Sequence, residues 1–147
     1  MNAYAQLQQR LDETLFRMEK ETAKAAPYGL FAGKTGAAFC CFQLAGLYRG
    51  LENKSTGRRL AEEVLAALPA LKDITLAAGL AGIGWGWEAM NRNRYAMPDT
   101  ARALDYIDDE IYKYATFRKT ADLTLDNGLL GSLVYLTFRL DTVADSP

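Results

Sequence analysis

The sequence contains no histidine, the side chain that proteins use most often as a general base and as a metal ligand. Its only cysteines, Cys40 and Cys41, are adjacent, and their side chains would diverge on a helix, so we expect no disulfide between them. Lys and Arg number 17 against 18 Asp and Glu, and the net charge of -1 gives no field that attracts nucleic acid or an anionic membrane. These absences exclude histidine-based catalysis and argue against nucleic acid and lipid as partners.

Long apolar runs are missing as well. No window approaches a charge-free membrane span, and residues 1–6 lack the basic start of a secretory signal, so we expect a cytoplasmic protein and no membrane partner. The remaining composition is that of a globular protein, with 50% hydrophobic and 24% charged residues. A chain of 147 residues has room for one domain with its own core, and we expect a single domain over 1–147.

An internal repeat is the strongest pattern in the chain. Residues 73–82 and 122–131 align without a gap as Asp-(Ile/Leu)-Thr-Leu-x-x-Gly-Leu-x-Gly, with six of ten positions identical. A third copy at 28–36 keeps Leu30 and two glycines but lacks the Asp and the Thr. The first glycines of the three motifs, at 33, 79 and 128, are 46 and 49 residues apart, a period typical of helical-pair repeats and of propeller blades.

Hydrophobic spacing favours helices, because no stretch alternates with a period of two. Ser55 is predicted to cap a helix that runs to about Leu68, and Pro98-Asp99 to open one that runs to about Arg118. Compact apolar stretches follow the motifs at 37–48, 83–90 and 132–140. Apolar residues at helical spacing precede them: Tyr4, Leu7, Leu11, Leu15 and Met18, then Leu60, Val64, Leu65 and Leu68, then Leu104, Ile107, Ile111 and Tyr114.

We therefore predict an all-α fold of three α-helical hairpins. Each unit is an outer amphipathic helix, a glycine turn and an inner apolar helix, with boundaries at about 1–52, 53–93 and 94–141 and a polar tail at 142–147. A turn that enters a packed helix requires positive φ or close backbone approach, which glycine permits at low cost. Alternatively, the helix N-termini after these turns bind an anion. The turn glycines are Gly33, Gly36, Gly79, Gly82, Gly128 and Gly131.

These glycine motifs, especially 79–86 (GLAGIGWG) and 126–131 (DNGLLG), resemble those of the lanthionine synthetase C-like family over roughly residues 28–140. The resemblance implies an α/α toroid of seven hairpins, of which this chain matches three as an incomplete α/α barrel. It also implies a central zinc ion that activates a peptide cysteine to add to a dehydrated serine or threonine. The family takes its zinc ligands from a cysteine and a neighbouring Cys-His pair in later hairpins.

This sequence has no match to those ligand motifs, so no catalytic residue is carried over and no cofactor is expected. Cys40 and Cys41 lie outside the motifs and are interpreted as core residues, with a metal or redox role as the alternative. The resemblance then implies a non-catalytic module that binds a peptide or a partner in lantibiotic-like thioether-peptide modification. The alternatives are a split subunit of a zinc-dependent cyclase, active only with a complementary chain, and a carbohydrate-active α/α-barrel protein.

Three hairpins cannot close a seven-hairpin ring. An incomplete toroid leaves apolar inner-helix surface and two unpaired ends exposed, and such surfaces usually mediate association. We therefore expect the chain to pair with itself as a homo-oligomer or with a complementary protein chain.

Polar residues in the motifs allow two interpretations. Asp73 and Asp122, at matching positions two residues before a threonine, suit the capping of backbone N–H groups in a turn. Together with Asp126 they could instead gather at one rim for acid/base work, as in α/α-barrel glycosidases. The segment 29–35 (GLFAGKT) has three residues between its glycines, whereas a phosphate-binding P-loop has four, and no strand precedes it. Nucleotide binding is not expected.

Aromatic residues on the inner helices also allow two interpretations. They either fill the core or line a surface that binds a peptide or a sugar, because an open toroid exposes part of its inner face. These candidate residues are Trp85, Trp87, Tyr48 and Tyr135.

Overall fold

The computed structural model describes residues 2–22, 27–48, 51–95, 100–117 and 122–144, and these form an all-α fold without a strand. The predicted fold class is confirmed, whereas the arrangement of the hairpins as part of a toroid stays a prediction. A short 3-10 turn at Leu68–Ala70 extends the third helix. The helices are α1 (Ala3–Thr22), α2 (Lys34–Tyr48), α3 (Leu51–Ala67), α4 (Leu80–Arg92), α5 (Thr100–Phe117) and α6 (Leu129–Ala144).

The three inner helices begin earlier than their apolar stretches predicted. Each starts directly after the first glycine of its motif, so that the second glycine, for example Gly82 in α4, lies inside the first helical turn. Helix α6 continues to Ala144, into the segment 142–147 that was predicted as a polar tail. Val143 and Ala144 follow Leu140 at helical spacing, which extends the apolar pattern of α6 beyond the predicted end.

The predicted start of the third helix at Ser55 was wrong. Helix α3 begins at Leu51, which places Ser55 inside the helix. Residues 51–54 contain no proline or glycine that would prevent a helix, and serine is tolerated inside one. Within α3, a Cβ at Gly57 would lie 3.1 Å from Cβ of Cys41 and 3.3 Å from the carbonyl oxygen of Ala38, so the missing side chain lets α3 approach α2 closely. The other predicted start, Pro98-Asp99, lies outside the described residues.

The inner helices α2, α4 and α6 lie side by side in chain order, with α3 packed on α2 and α5 packed on α4. Among the pairs of one inner and one outer helix, the most extensive contacts are α2 with α3 and α4 with α5, in each case an inner helix with the outer helix that follows it. The sequence predicted units in which an outer helix precedes its inner helix. In the structure α2 and α4 pack more extensively on the outer helix that follows them. A short connection favours packing of neighbouring helices, whereas the longer glycine turn carries the chain on to the next inner helix.

One hydrophobic core lies between the inner helices and α3 and α5. Its largest fully buried side chains include Trp87 and Tyr135, at 1% and 0% exposure, and Phe42 and Ile107 lie in the same cluster. By contrast α1 contacts α2 over a small area and keeps large apolar residues exposed, among them Phe16. No described helix combines the length with the apolar character needed to cross a membrane.

Candidate functional site

The second glycine of each motif lies against a backbone carbonyl in its own turn. A Cβ at Gly82 would collide with the carbonyl oxygen of Leu76, and a Cβ at Gly131 with that of Leu125. In the first copy a Cβ at Gly36 would likewise collide with the carbonyl oxygen of Leu30, and in all three copies the glycine and the leucine are six residues apart. Close backbone approach is therefore the physical reason for glycine here. Positive φ is not, because no described glycine has it.

The N-terminal amides of the inner helices donate to carbonyls seven residues earlier in the same turn. At α4 the N–H of Leu80 donates to Asp73 at 2.8 Å, and the next two amides donate to the carbonyls of Ile74 and Thr75. The amides of residues 34–36 do the same at α2, and Leu129 donates to the Asp122 carbonyl at 3.0 Å. An anion at a helix N-terminus needs free N–H groups. At α2 and α4 the turn already uses these donors, so the anion alternative finds no support in the geometry of those two turns.

Asp73 and Asp122 use their carboxylates within the turn. The N–H of Thr75 donates to Oδ1 of Asp73, and the N–H of Thr124 donates to Oδ1 of Asp122, both at 2.8 Å. The hydroxyl of Thr124 donates to the same Asp122 oxygen, and these two bonds, the backbone one first, hold the pKa of Asp122 below its usual value. These contacts are those of the turn-stabilising interpretation.

Lys34, the lysine of the P-loop-like segment, pairs with a carboxylate. Its Nζ lies 2.6 Å from Oε2 of Glu63 on α3 and 5.3 Å from the ring centroid of Tyr28. The hydrogen bond from Lys34, followed by the one from Arg59, lowers the pKa of Glu63 against the opposing effect of burial. Lys34 therefore joins the first turn to α3 by an ion pair.

The candidate aromatic residues separate into two groups. Trp87 and Tyr135 are in the core, and the ring of Tyr135 packs where a Cβ at Gly84 would lie. Trp85 is two residues from Trp87 and therefore projects about 200° away from it around α4. It is half-buried and packs against the edge of the core. The side chain of Tyr48 lies outside the described residues.

Trp85 is the centre of an aromatic row that crosses the three inner helices. Its ring stacks on Phe138 of α6 at a centroid distance of 5.3 Å and meets Phe39 of α2 edge-on at 6.3 Å. The guanidinium of Arg92 lies 3.8 Å from the ring centroid of Phe138, and Arg92 Nη2 donates to the Phe138 carbonyl at 2.7 Å. We call Phe39, Trp85 and Phe138 the aromatic row. Phe39 and Phe138 were not predicted as site residues, although both lie within the predicted inner helices.

An open groove of about 540 Å³ adjoins the aromatic row along α6. Its apolar lining extends from the row to the outer side of α6, and Asp141 supplies a carboxylate at one end. Drug-sized pockets have a similar volume and a similar mixture of apolar surface with few polar groups. The lining residues are Trp85, Leu125, Leu130, Leu133, Val134, Thr137, Phe138 and Asp141.

A partly buried charge network lies between α4, α5 and α6, and the sequence analysis missed it. Arg139 Nη1 is 3.4 Å from Oε2 of Glu88, which is 1% exposed, and Arg139 Nε is 3.1 Å from Oδ2 of Asp108. The Tyr135 hydroxyl donates to the other oxygen of Asp108. The signal for this network was the presence of Glu88 and Arg139 in otherwise apolar inner helices. Its carboxylates are paired with Arg139 across three helices, which suits structure rather than proton transfer.

The described residues do not fit the zinc site that the family resemblance implies. Cys40 is exposed on α2 and Cys41 is buried in the core. No group of three or more His, Cys, Asp or Glu side chains that could hold a metal ion was found among the residues that the structure describes. A zinc site of the closed type requires four such ligands at tetrahedral geometry.

Comparison with models of known protein families and with curated protein sequences found no match for this chain.

Proposed function

We propose that this chain is a non-catalytic, lanthionine synthetase C-like helical repeat that binds an extended apolar peptide along the aromatic row. The observation that carries this proposal is the half-buried position of Trp85 between two further aromatic rings, beside an open apolar groove along α6. Aromatic rings give a large contact area at a small cost in conformational entropy, and they are enriched where proteins bind peptides.

The neighbouring groups suit a peptide more than a sugar or a nucleotide. The groove beside the row is lined mainly by leucine, valine and aromatic side chains, which favour apolar side chains of a ligand. Arg92 at Phe138 and Asp141 at the end of the groove supply one charge of each sign for polar groups of the peptide. A thioether-forming precursor peptide, with apolar residues among its Ser, Thr and Cys, belongs to this ligand class.

Isothermal titration with two synthetic peptides of equal length tests the proposal. One peptide alternates Phe or Leu with Ser and Cys, and the other consists of Gly and Ser. We expect binding of the first peptide alone and binding at least tenfold weaker, a loss of about 1.4 kcal/mol, in Trp85→Ala. Tyr112→Ala is the matched control, because Tyr112 is 65% exposed on α5, an outer helix. Equal affinity of Trp85→Ala and the wild type, or no binding of the apolar peptide, would overturn the proposal.

A further inference from the structure

Neighbouring glycine turns pack on each other through one leucine and one glycine. Cβ of Leu30 in the first turn lies 3.0 Å from the position of a Cβ at Gly82 in the second. Cβ of Leu76 in the second turn lies 2.7 Å from the position of a Cβ at Gly131 in the third. The two contacts join corresponding positions of the repeat, so each unit offers a leucine to the glycine of the next.

A backbone hydrogen bond accompanies each leucine contact. The N–H of Phe31 donates to the carbonyl of Ala77 at 3.0 Å, and the N–H of Ala77 donates to the carbonyl of Asp126 at 2.9 Å. These three residues occupy the same position in the three motifs. The contact between units therefore has a direction: the earlier turn donates the N–H and the later turn accepts it.

The described array ends with complementary halves of this contact. Leu125, the third leucine, is 53% exposed, and the N–H of Asp126 donates no hydrogen bond within the described residues. At the other end a Cβ at Gly36 would meet only backbone atoms of Leu30, so its leucine position is open. Phe31 is 62% exposed, and no hydrogen bond to its carbonyl is found in the described part of the chain.

The two end helices have the same complementarity. Leu130 and Leu133 on α6 are each 47% exposed, whereas the corresponding residues of α4, Ala81 and Gly84, are buried by the next unit. On α2 the corresponding outward face carries Cys40, which is exposed. A second α2 therefore fits the exposed face of α6 in the register that α4 and α6 already use.

We propose that two copies of this chain associate head to tail. Leu125 of one copy packs on Gly36 of the other, and the N–H of Asp126 donates to the carbonyl of Phe31 across the interface. The interface continues the packing between units within the chain and buries the exposed leucines of α6 in one copy. The leucine end of the other copy stays exposed, so its groove remains open to the proposed peptide. Because the two surfaces differ, the contact is heterologous, and a variant that blocks one end leaves the other end intact.

Two charge variants test this direction. Leu130→Glu places a carboxylate on the leucine end and Cys40→Glu places one on the glycine end, and both positions are exposed, so folding is retained. Mass is measured by size-exclusion chromatography with light scattering at about 100 μM chain, which detects micromolar dissociation constants. We expect the wild type to exceed the single-chain mass of 16.2 kDa and each variant alone to be a monomer.

An equimolar mixture of the two variants decides between head-to-tail and symmetric pairing. The Cys40→Glu variant has an intact leucine end and the Leu130→Glu variant has an intact glycine end, so the mixture is expected to form a two-chain complex. Symmetric pairing of two leucine ends predicts instead that Cys40→Glu associates like the wild type. That result, a monomeric wild type, or a mixture that stays monomeric would overturn the proposal.

Disulfide trapping provides a second measurement. Within the chain, a Cβ at Gly86 would lie 2.6 Å from Cγ2 of Thr35, and the corresponding residues across the proposed interface are Cys40 and Leu130. A cysteine introduced by Leu130→Cys should therefore bond to Cys40 of a second copy under mild oxidation. Tyr112→Cys, on an outer helix, is the control. Equally fast crosslinking of the two variants would contradict the proposed register.

Discussion

Leu76 packs directly over Gly131, with its Cβ 2.7 Å from the position that a side chain at residue 131 would take. A Cβ there would also collide with the carbonyl oxygen of Leu125, which is backbone and cannot rotate away. One residue therefore accommodates both the turn of its own unit and the leucine of the preceding unit. The glycine fixes the spacing of the repeat because anything larger would force the units apart.

We expect Gly131→Ala to reduce the free energy of unfolding by about 2 kcal/mol or more, because the methyl group forces the turn or the leucine to move. Gly46→Ala is the matched control in α2, where a Cβ would meet only the Tyr95 hydroxyl at 3.8 Å. That change should stabilise the protein by up to about 1 kcal/mol, since alanine is the better helix former. Urea unfolding measures both. Similar destabilisation by the two variants would show that loss of glycine itself, and not the collision, is responsible.

Sequence patterns predicted the helices and the repeat because their causes are local. The 3.6-residue apolar period of α5 and the glycine spacing can be read from a single stretch of chain. The start of α3 could not be read in this way, because serine is favoured as a helix cap and is also tolerated inside a helix, so Ser55 does not fix the boundary. How closely Gly57 lets α3 approach Cys41 on α2 was likewise not predictable, because local propensity gives no information about such an approach.

The candidate site was predictable only in part for a similar reason. Trp85 and Trp87 are the same residue type on the same helix. Their different exposure depends on how α4 packs against its neighbours, which is a property of the assembled fold. Exposed apolar surface at an unpaired end was expected from the incomplete ring, but Leu125 and Leu130 were not identified as the residues that form it. Its apolar residues have the same pattern as buried ones, and they are exposed because no described unit packs on them.

We expect the free energy of unfolding to fall at high pH because of the buried hydroxyl of Tyr135. Burial, followed by the hydrogen bond to Asp108, raises the pKa of its hydroxyl well above the ordinary value of 10.0. Above about pH 10 the unfolded chain loses this proton while the native protein keeps it, so stability decreases by up to about 1.4 kcal/mol per pH unit. Below about pH 10 the contribution is fully present and independent of pH.

Urea midpoints of the wild type and Tyr135→Phe between about pH 8 and about pH 11 measure this effect, since the difference between the curves removes other titrating groups. We expect the variant to lose less stability than the wild type as the pH rises. Tyr112→Phe, at a residue that is 65% exposed, should follow the wild-type curve. Parallel curves for the wild type and Tyr135→Phe would contradict the raised pKa.

We expect Arg139 to stabilise the protein mainly through its ion pairs with carboxylates and less through the apolar packing of α6. Arg139→Met removes the closer of the two cations at buried Glu88, at 3.4 Å, leaves only Arg92 at 4.0 Å, and also removes the contact with Asp108. Breaking a buried pair from one side costs about 3 kcal/mol, whereas apolar replacement of both partners is often close to neutral. We expect the double variant Arg139→Met, Glu88→Met to be more stable than Arg139→Met alone in urea unfolding. Additive losses in the two variants would show that the pair is not coupled.

The two tryptophans should report their different environments in fluorescence. Trp85→Phe leaves Trp87, which is 1% exposed, and we expect blue-shifted emission and slow quenching by acrylamide. Trp87→Phe leaves the half-buried Trp85, whose emission should lie further to the red and be quenched faster. Circular dichroism of both variants checks that the helices persist, because Trp87→Phe changes the volume of the core. If the two residual tryptophans are quenched equally in folded variants, Trp85 is not at a binding surface, and the peptide-binding proposal loses its structural basis.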